Sequence, residues 1–163
     1  MAARRSRESR PGVREGHTPE GAVFTELLLE IFRANALLVA AGNRLAGKGG
    51  ISLARWQVLG ALAFVGRPLT VAQLGRAIGQ TRQSIHRLVD DMEAAGLVAR
   101  HRHATNQRAL PVSLTDQGQA ALRAASKAQE PWANRISKGI GANRLAAALR
   151  TIRDLTQRLE YDN

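Results

Sequence analysis

Leu69-Thr70-Val71-Ala72-Gln73-Leu74-Gly75-Arg76-Ala77-Ile78-Gly79-Gln80-Thr81-Arg82-Gln83-Ser84-Ile85-His86-Arg87-Leu88-Val89-Asp90 encodes two helices with almost nothing between them. Thr70 is placed to cap a short first helix. Val71, Leu74 and Ile78 lie on one side of it, and Gly79 supplies the left-handed residue that closes it. Thr81 then caps a second helix at once. Its Ile85, Leu88, Val89 and Met92 form an apolar stripe, which turns Arg82, Gln83, Ser84, His86 and Arg87 outward near its N-terminal end. Helices joined by so short a turn cannot lie antiparallel; they cross steeply, as in a helix-turn-helix.

Beyond Gly96 the apolar period changes from helical to alternating. Leu97 to Arg102 reads as a strand, with Leu110, Val112 and Leu114 as its partner across the polar tip His103-Ala104-Thr105-Asn106-Gln107. Pro111 has no amide hydrogen to give a ladder, so it is expected on the open side of an edge strand. A two-stranded ribbon directly behind a helix-turn-helix is a wing.

Upstream, Val23, Phe24, Leu27, Leu28, Ile31, Leu38, Val39 and Leu45 recur at helical spacing until Gly47-Lys48-Gly49-Gly50 ends the run. A helix this long commonly packs against something beyond its own domain. Ser52 caps a further helix with Leu53, Trp56, Leu59, Leu62 and Ala63 on one face, stopped by Gly66-Arg67-Pro68. Downstream, Thr115 and Asp116 open an Ala/Leu-rich helix that Pro131 and Gly139/Gly141 are expected to interrupt. Leu145, Leu149, Ile152, Leu155 and Leu159 carry a last amphipathic segment. Residues 1 to about 20 hold five Arg, three Glu and two Pro with almost nothing large and apolar, which reads as a flexible basic arm. The fold class is thus mainly α with a small two-stranded β wing.

The 163 residues fit one ordinary domain with helical extensions, and 44% hydrophobic with 23% charged residues is a globular composition. Lys+Arg 24 against Asp+Glu 13 leaves a net charge of +11, which points to a polyanionic partner, nucleic acid before anionic membrane. The absence of cysteine excludes disulfides, thiolate zinc sites and cysteine nucleophiles or redox sensors. The first apolar run is crossed by Glu26, Glu30 and Arg33, so no membrane span or membrane partner is expected. Arg4-Arg5 is followed by Ser6-Arg7-Glu8-Ser9-Arg10 where an exported chain would turn apolar, and a cytoplasmic protein is expected.

The polar face of the Thr81 helix carries a base-reading inventory. A guanidinium forks onto guanine O6 and N7, and an amide pairs with adenine. Thr81 and the first amides of that helix suit a phosphate, so the backbone of double-stranded DNA would position the helix while its side chains specify. Arg100, Arg102 and Arg108 add charge to the ribbon, within reach of an adjacent minor groove.

These segments, with the Glu93-Ala94-Ala95-Gly96-Leu97-Val98 junction and Val112-Ser113-Leu114-Thr115-Asp116-Gln117-Gly118, resemble the MarR (multiple antibiotic resistance regulator) family of winged helix-turn-helix transcription factors. The resemblance runs from about Val23 to the C-terminus and includes Trp56-Gln57 in the preceding helix. It implies a homodimer whose first and last helices interlock and whose recognition helices enter successive major grooves of a near-palindrome. The implied division is a basic arm at 1–20, an N-terminal dimerisation helix at 21–50, a winged helix-turn-helix at 51–115 and C-terminal dimerisation helices at 116–163. Carried over by position, Arg82, Gln83, Ser84 and Arg87 face bases and phosphates, Thr70 and Gln73 touch the DNA backbone, and Arg108 is the wing arginine. Family wings commonly pair that arginine with an acidic residue two positions before it; here the place is Asn106, which cannot form an ion pair. The resemblance also implies a small aromatic or anionic effector between dimer helices and winged domain, with Trp56 and Arg55 as candidate contacts. Trp56, Phe24, Phe32 and Phe64 all sit on apolar stripes and are expected in the core.

Other chemistry finds little support. Gly42-Asn43-Arg44-Leu45-Ala46-Gly47-Lys48 has phosphate-loop spacing, but Gly49 stands where Ser or Thr would hold magnesium, and a helix rather than a strand precedes it. His101 and His103 share a strand face with no carboxylate or cysteine close in sequence, so no metal or other cofactor is expected. Among Asp90, Asp91 and Glu93, the i,i+4 spacing from Arg87 to Asp91 suggests a surface ion pair. No Gly-x-Ser-x-Gly or His-Glu-x-x-His is present, and an enzyme is not expected. The expected function is a sequence-specific regulator, a ligand-responsive repressor by resemblance. The alternatives are a non-specific architectural DNA binder and a winged-helix protein-interaction module.

Overall fold

The computed structural model describes residues 16–101 and 110–162. Most of the proposed basic arm therefore lies outside the described residues, as do Arg102, His103, Asn106 and Arg108. The chain divides into two compact units, Met1–Gly42 and Asn43–Asn163.

Helix α1 spans Pro19–Lys48, so Pro19 and Glu20 belong to a helix rather than to the arm. Thr18 starts it, its Oγ1 accepting from the Gly21 amide at 3.1 Å, and Pro19 fills a first-turn position where no amide hydrogen is needed. Within the first unit Val23, Leu29, Phe32, Leu37 and Leu38 are exposed. Phe32 and Phe24, both expected in the core, are 62% and 36% exposed.

In the second unit α2 spans Leu53–Val65, with Ser52 as N-cap and Gly66 closing it at φ 69°. Its buried residues are Val58, Leu59 and Leu62, whereas Ala63 is exposed, Trp56 is half-buried and Phe64 is 85% exposed. The buried face keeps Leu59 and Leu62 of the expected one and is rotated toward Val58. Apolar residues run all round this helix, and periodicity alone does not select among them. Helix α3 spans Val71–Ile78 and α4 spans Arg82–Ala94. The caps are those expected from sequence: Thr70 and Gly79 bound α3, and the Thr81 hydroxyl accepts from the Ser84 amide at 3.2 Å. Gly75 lets the turn close, because a Cβ there would sit 2.8 Å from the Gln80 carbonyl oxygen, and the Gln80 backbone amide donates to the Gly75 carbonyl at 2.9 Å.

Strands β1 (Val98–Arg100) and β2 (Val112–Leu114) pair antiparallel, with Val98 opposite Leu114 and Arg100 opposite Val112. Leu69 and Val112 exchange both backbone hydrogen bonds, at 3.0 and 2.8 Å, so β2 lies between β1 and Leu69, the residue before the N-cap of α3. This reverses the expectation for Pro111: it faces β1, where its carbonyl accepts from the His101 amide at 2.8 Å, because the outward edge at Val112 is taken by Leu69. Val58, Leu59, Leu62, Leu69, Leu74, Ile85, Val89, Met92, Leu97, Val98 and Val112 form one core that locks the helix-turn-helix to the base of the wing.

Helix α5 spans Asp116–Ser137, with Thr115 accepting from the Gly118 amide at 3.0 Å and donating to the Gly96 carbonyl at 2.6 Å. Gly118 is required here, since a Cβ would fall 2.0 Å from the Leu97 carbonyl oxygen. Ala121 and Leu122 pack on the core from this helix. Pro131, expected to interrupt it, lies inside it and is exposed, so the lost amide donor leaves a carbonyl that water can satisfy. The break comes after Ser137, where Gly139 and Gly141 adopt φ 83° and 88°. Helix α6 (Ala142–Asp162) buries no residue and exposes Leu145, Leu149 and Ile152.

Candidate nucleic-acid interface

Three apolar anchors fix α4. Ile85, Val89 and Met92 are buried in the core, which leaves Arg82, Gln83, Ser84, His86 and Arg87 exposed together over its first two turns. Thr81 is also exposed, and the first turn holds no acidic residue. The helix terminus thus combines unpaired amides, the positive end of the helix dipole and two guanidiniums, an arrangement that attracts phosphate. Thr70 and Gln73 are half-buried and cap α3 reciprocally: the Thr70 amide donates to Gln73 Oε1 at 2.9 Å, and the Gln73 amide donates to Thr70 Oγ1 at 3.2 Å. The capping box uses Gln73 Oε1 as acceptor and leaves the side-chain amide nitrogen of Gln73 outside that pair.

Arg100 is placed otherwise than the sequence suggested. Its side chain is only 15% exposed and turns back onto α4, Nη1 donating to Glu93 Oε2 and Nη2 to Asp90 Oδ1 at 2.6 Å. Its backbone amide also donates to Glu93 Oε1 at 3.0 Å. The expected ion pair between Arg87 and Asp91 is not among the ion pairs of the described residues; Gly96, at φ 69°, turns the chain so that β1 runs alongside the end of α4 and Arg100 meets Asp90 and Glu93 instead. The side-chain hydrogen bond from Arg100 holds the Asp90 carboxyl below the usual range against partial burial, with His86 assisting. The Arg100 backbone amide and then its guanidinium do the same for Glu93. For Arg100, burial favours the neutral form, but the two carboxylates outweigh it and raise the pKa.

The second oxygen of Asp90 lies 3.1 Å from Nδ1 of His86. Among the described residues His101 Nε2 meets Ser113 Oγ at 2.6 Å, and no cluster of three metal-ligating side chains occurs. An open groove of ≈ 370 Å³ runs between α2 and α3, lined by residues that include Gln57, Ala61, Phe64 and Ile78. Neither Trp56 nor Arg55 lines it; both are half-buried on α2. The reading from sequence missed Asp90 and Glu93 as partners of Arg100. The signal available was Gly96 itself, a tight turn between a helix end and a strand start.

A buried helix-turn-helix core, a two-stranded ribbon behind it and an exposed basic recognition helix define a winged helix-turn-helix protein. The sequence model of the MarR family matches residues 49–109. The uncharacterized protein Rv2011c of Mycobacterium tuberculosis is 33% identical over 137 residues, covering 83% of this chain and 91% of its own length. The chain belongs to the MarR family and is a DNA-binding transcriptional regulator. In fold it is similar to the M. tuberculosis regulator MosR, solved in complex with DNA, at a TM-score of 0.69 and 24% identity over 83% of this chain and 97% of that one. It is likewise similar to CouR from Rhodococcus jostii RHA1 bound to p-coumaroyl-CoA, at 0.70 and 18% over 80% and 91%. The family and MosR are transcriptional regulators rather than enzymes.

Proposed function

We propose that this chain is a cytoplasmic, homodimeric, ligand-responsive repressor that reads a near-palindromic operator. The observation that carries the reading is the exposed Arg82, Gln83, Ser84, His86 and Arg87 array at the capped N-terminus of a helix whose opposite face is buried. The apolar residues exposed on α1 (Val23, Leu29, Phe32, Leu37) and on α6 (Leu145, Leu149, Ile152) support assembly into a dimer, since a lone chain would leave them in water. In this reading Thr70, Gln73 and Thr81 hold the DNA backbone, the α4 array reads bases, and Arg102 and Arg108 add wing contacts. A small aromatic or anionic effector releases the complex; the p-coumaroyl-CoA bound to CouR supports that class of ligand, and Trp56 and Arg55 remain its candidate contacts.

Selection from a random duplex pool at physiological salt tests the proposal. Enrichment of an inverted repeat with half-sites about one helical turn apart is expected. Retention without enrichment would replace the reading with architectural binding, and no retention would replace it with a protein partner.

A further inference from the structure

Asp90 is shared between two groups. One of its oxygens is held by Arg100 of β1 at 2.6 Å, and the other faces His86 Nδ1 at 3.1 Å, four residues back along α4. His86 is 62% exposed on the side of α4 that carries Arg82, Gln83 and Arg87, whereas Arg100 is withdrawn at 15% and further tied to Glu93. The chain of contacts therefore runs from the wing base, through a carboxylate, to an imidazole on the DNA-reading face.

We propose that Arg100 is a positioning residue for sequence recognition: it touches no DNA, but through Asp90 it fixes the orientation of the His86 ring and so sets the base preference beneath it. The inference rests on the DNA-reading function proposed above. An Asp–His pair on an exposed helix face is ordinarily loose and contributes little. Here one carboxylate oxygen is clamped by a half-buried guanidinium, itself held by Glu93, so the carboxylate does not rotate freely. The bond it offers favours the hydrogen on Nδ1, which presents Nε2 outward as an acceptor in the neutral ring, suited to the N4 amine of cytosine or the N6 amine of adenine.

The test measures affinities of the full chain for the selected operator and its single-base-pair variants, comparing wild type, His86→Ala, Arg100→Gln, Asp90→Asn and His86→Ala/Arg100→Gln. His86→Ala is expected to relax preference at one base pair in each half-site by about 5- to 50-fold. Arg100→Gln and Asp90→Asn are expected to relax preference at that same base pair by about 3- to 10-fold. Arg100→Gln should add nothing in the His86→Ala background. Charge alone predicts the opposite pattern: tighter binding on loss of Asp90, weaker on loss of Arg100, and no change in base preference. Should Arg100→Gln fold poorly, Asp90→Asn at a half-exposed position and Arg100→Lys carry the same comparison. Uniform weakening across sequences, with a salt slope reduced by about one, would make Arg100 a phosphate contact and overturn the inference alone. A wild type without any base preference would overturn the function and the inference together.

Discussion

At Arg82 and Arg87 the whole recognition proposal can be read in single side chains. Both are exposed on the first two turns of α4, and a guanidinium that forks onto guanine contributes about 1–3 kcal/mol of discrimination. Arg82→Ala and Arg87→Ala are each expected to weaken operator binding by about that amount and to relax specificity at one position. Fluorescence anisotropy on the operator and its single-base variants measures both quantities. Loss spread evenly over all sequences would assign that arginine to phosphate. Gly75 acts at the same scale on the fold. An added Cβ would meet the Gln80 carbonyl oxygen at 2.8 Å, and that atom is backbone that cannot swing aside. Gly75→Ala is expected to lower stability by about 1–3 kcal/mol in urea titrations, with the crossing of α3 and α4 distorted. Unchanged stability would show that the turn can move. Such residues were legible from the sequence because caps and turns are local chemistry: Ser52, Thr70, Gly79, Thr81 and Thr115 all stand where their residue type dictates. Arg100 was not legible, because its partners depend on how β1 returns past the end of α4.

Among elements, the contact between α4 and β1 carries a pH signature. Arg100 holds Asp90 and Glu93 below the ordinary carboxylate range, so both stay ionised in the folded chain at pH values where the unfolded chain has begun to take up protons. Their contribution is therefore fully present above the ordinary carboxylate pKa and is lost as pH falls through the depressed values. Acid titration followed by circular dichroism should show wild type losing stability below about pH 4–5, and Glu93→Gln, already less stable at neutral pH, should show a shallower dependence. Parallel curves would remove Glu93 from the acid response. Helix α5 supplies a prediction of opposite sign. Pro131 is exposed inside the helix and costs it a hydrogen bond, so Pro131→Ala is expected to raise stability by about 1–3 kcal/mol in thermal or urea unfolding. A destabilised variant would mean that a bend at this position serves assembly. The element order was readable from periodicity and punctuation. The buried face of α2 was not, because Leu53, Trp56, Val58, Leu59, Leu62, Phe64 and Val65 surround that helix with apolar groups. Phe64 and Phe32 illustrate the same limit: hydrophobicity marks a side chain for burial but does not say whether its own chain covers it.

The molecule as a whole combines a net charge of +11 with a short helix face proposed to discriminate bases. Charge supplies affinity for any duplex and weakens steeply with salt, so affinity alone cannot distinguish a regulator from an architectural binder. Discrimination can. The most direct measurement is the ratio of dissociation constants for a selected operator and for a shuffled duplex of the same length and composition, at physiological salt. A ratio on the order of 10³ or more is expected if the α4 array reads sequence. A ratio near one would contradict sequence-specific recognition and leave only attraction between a basic protein and a polyanion.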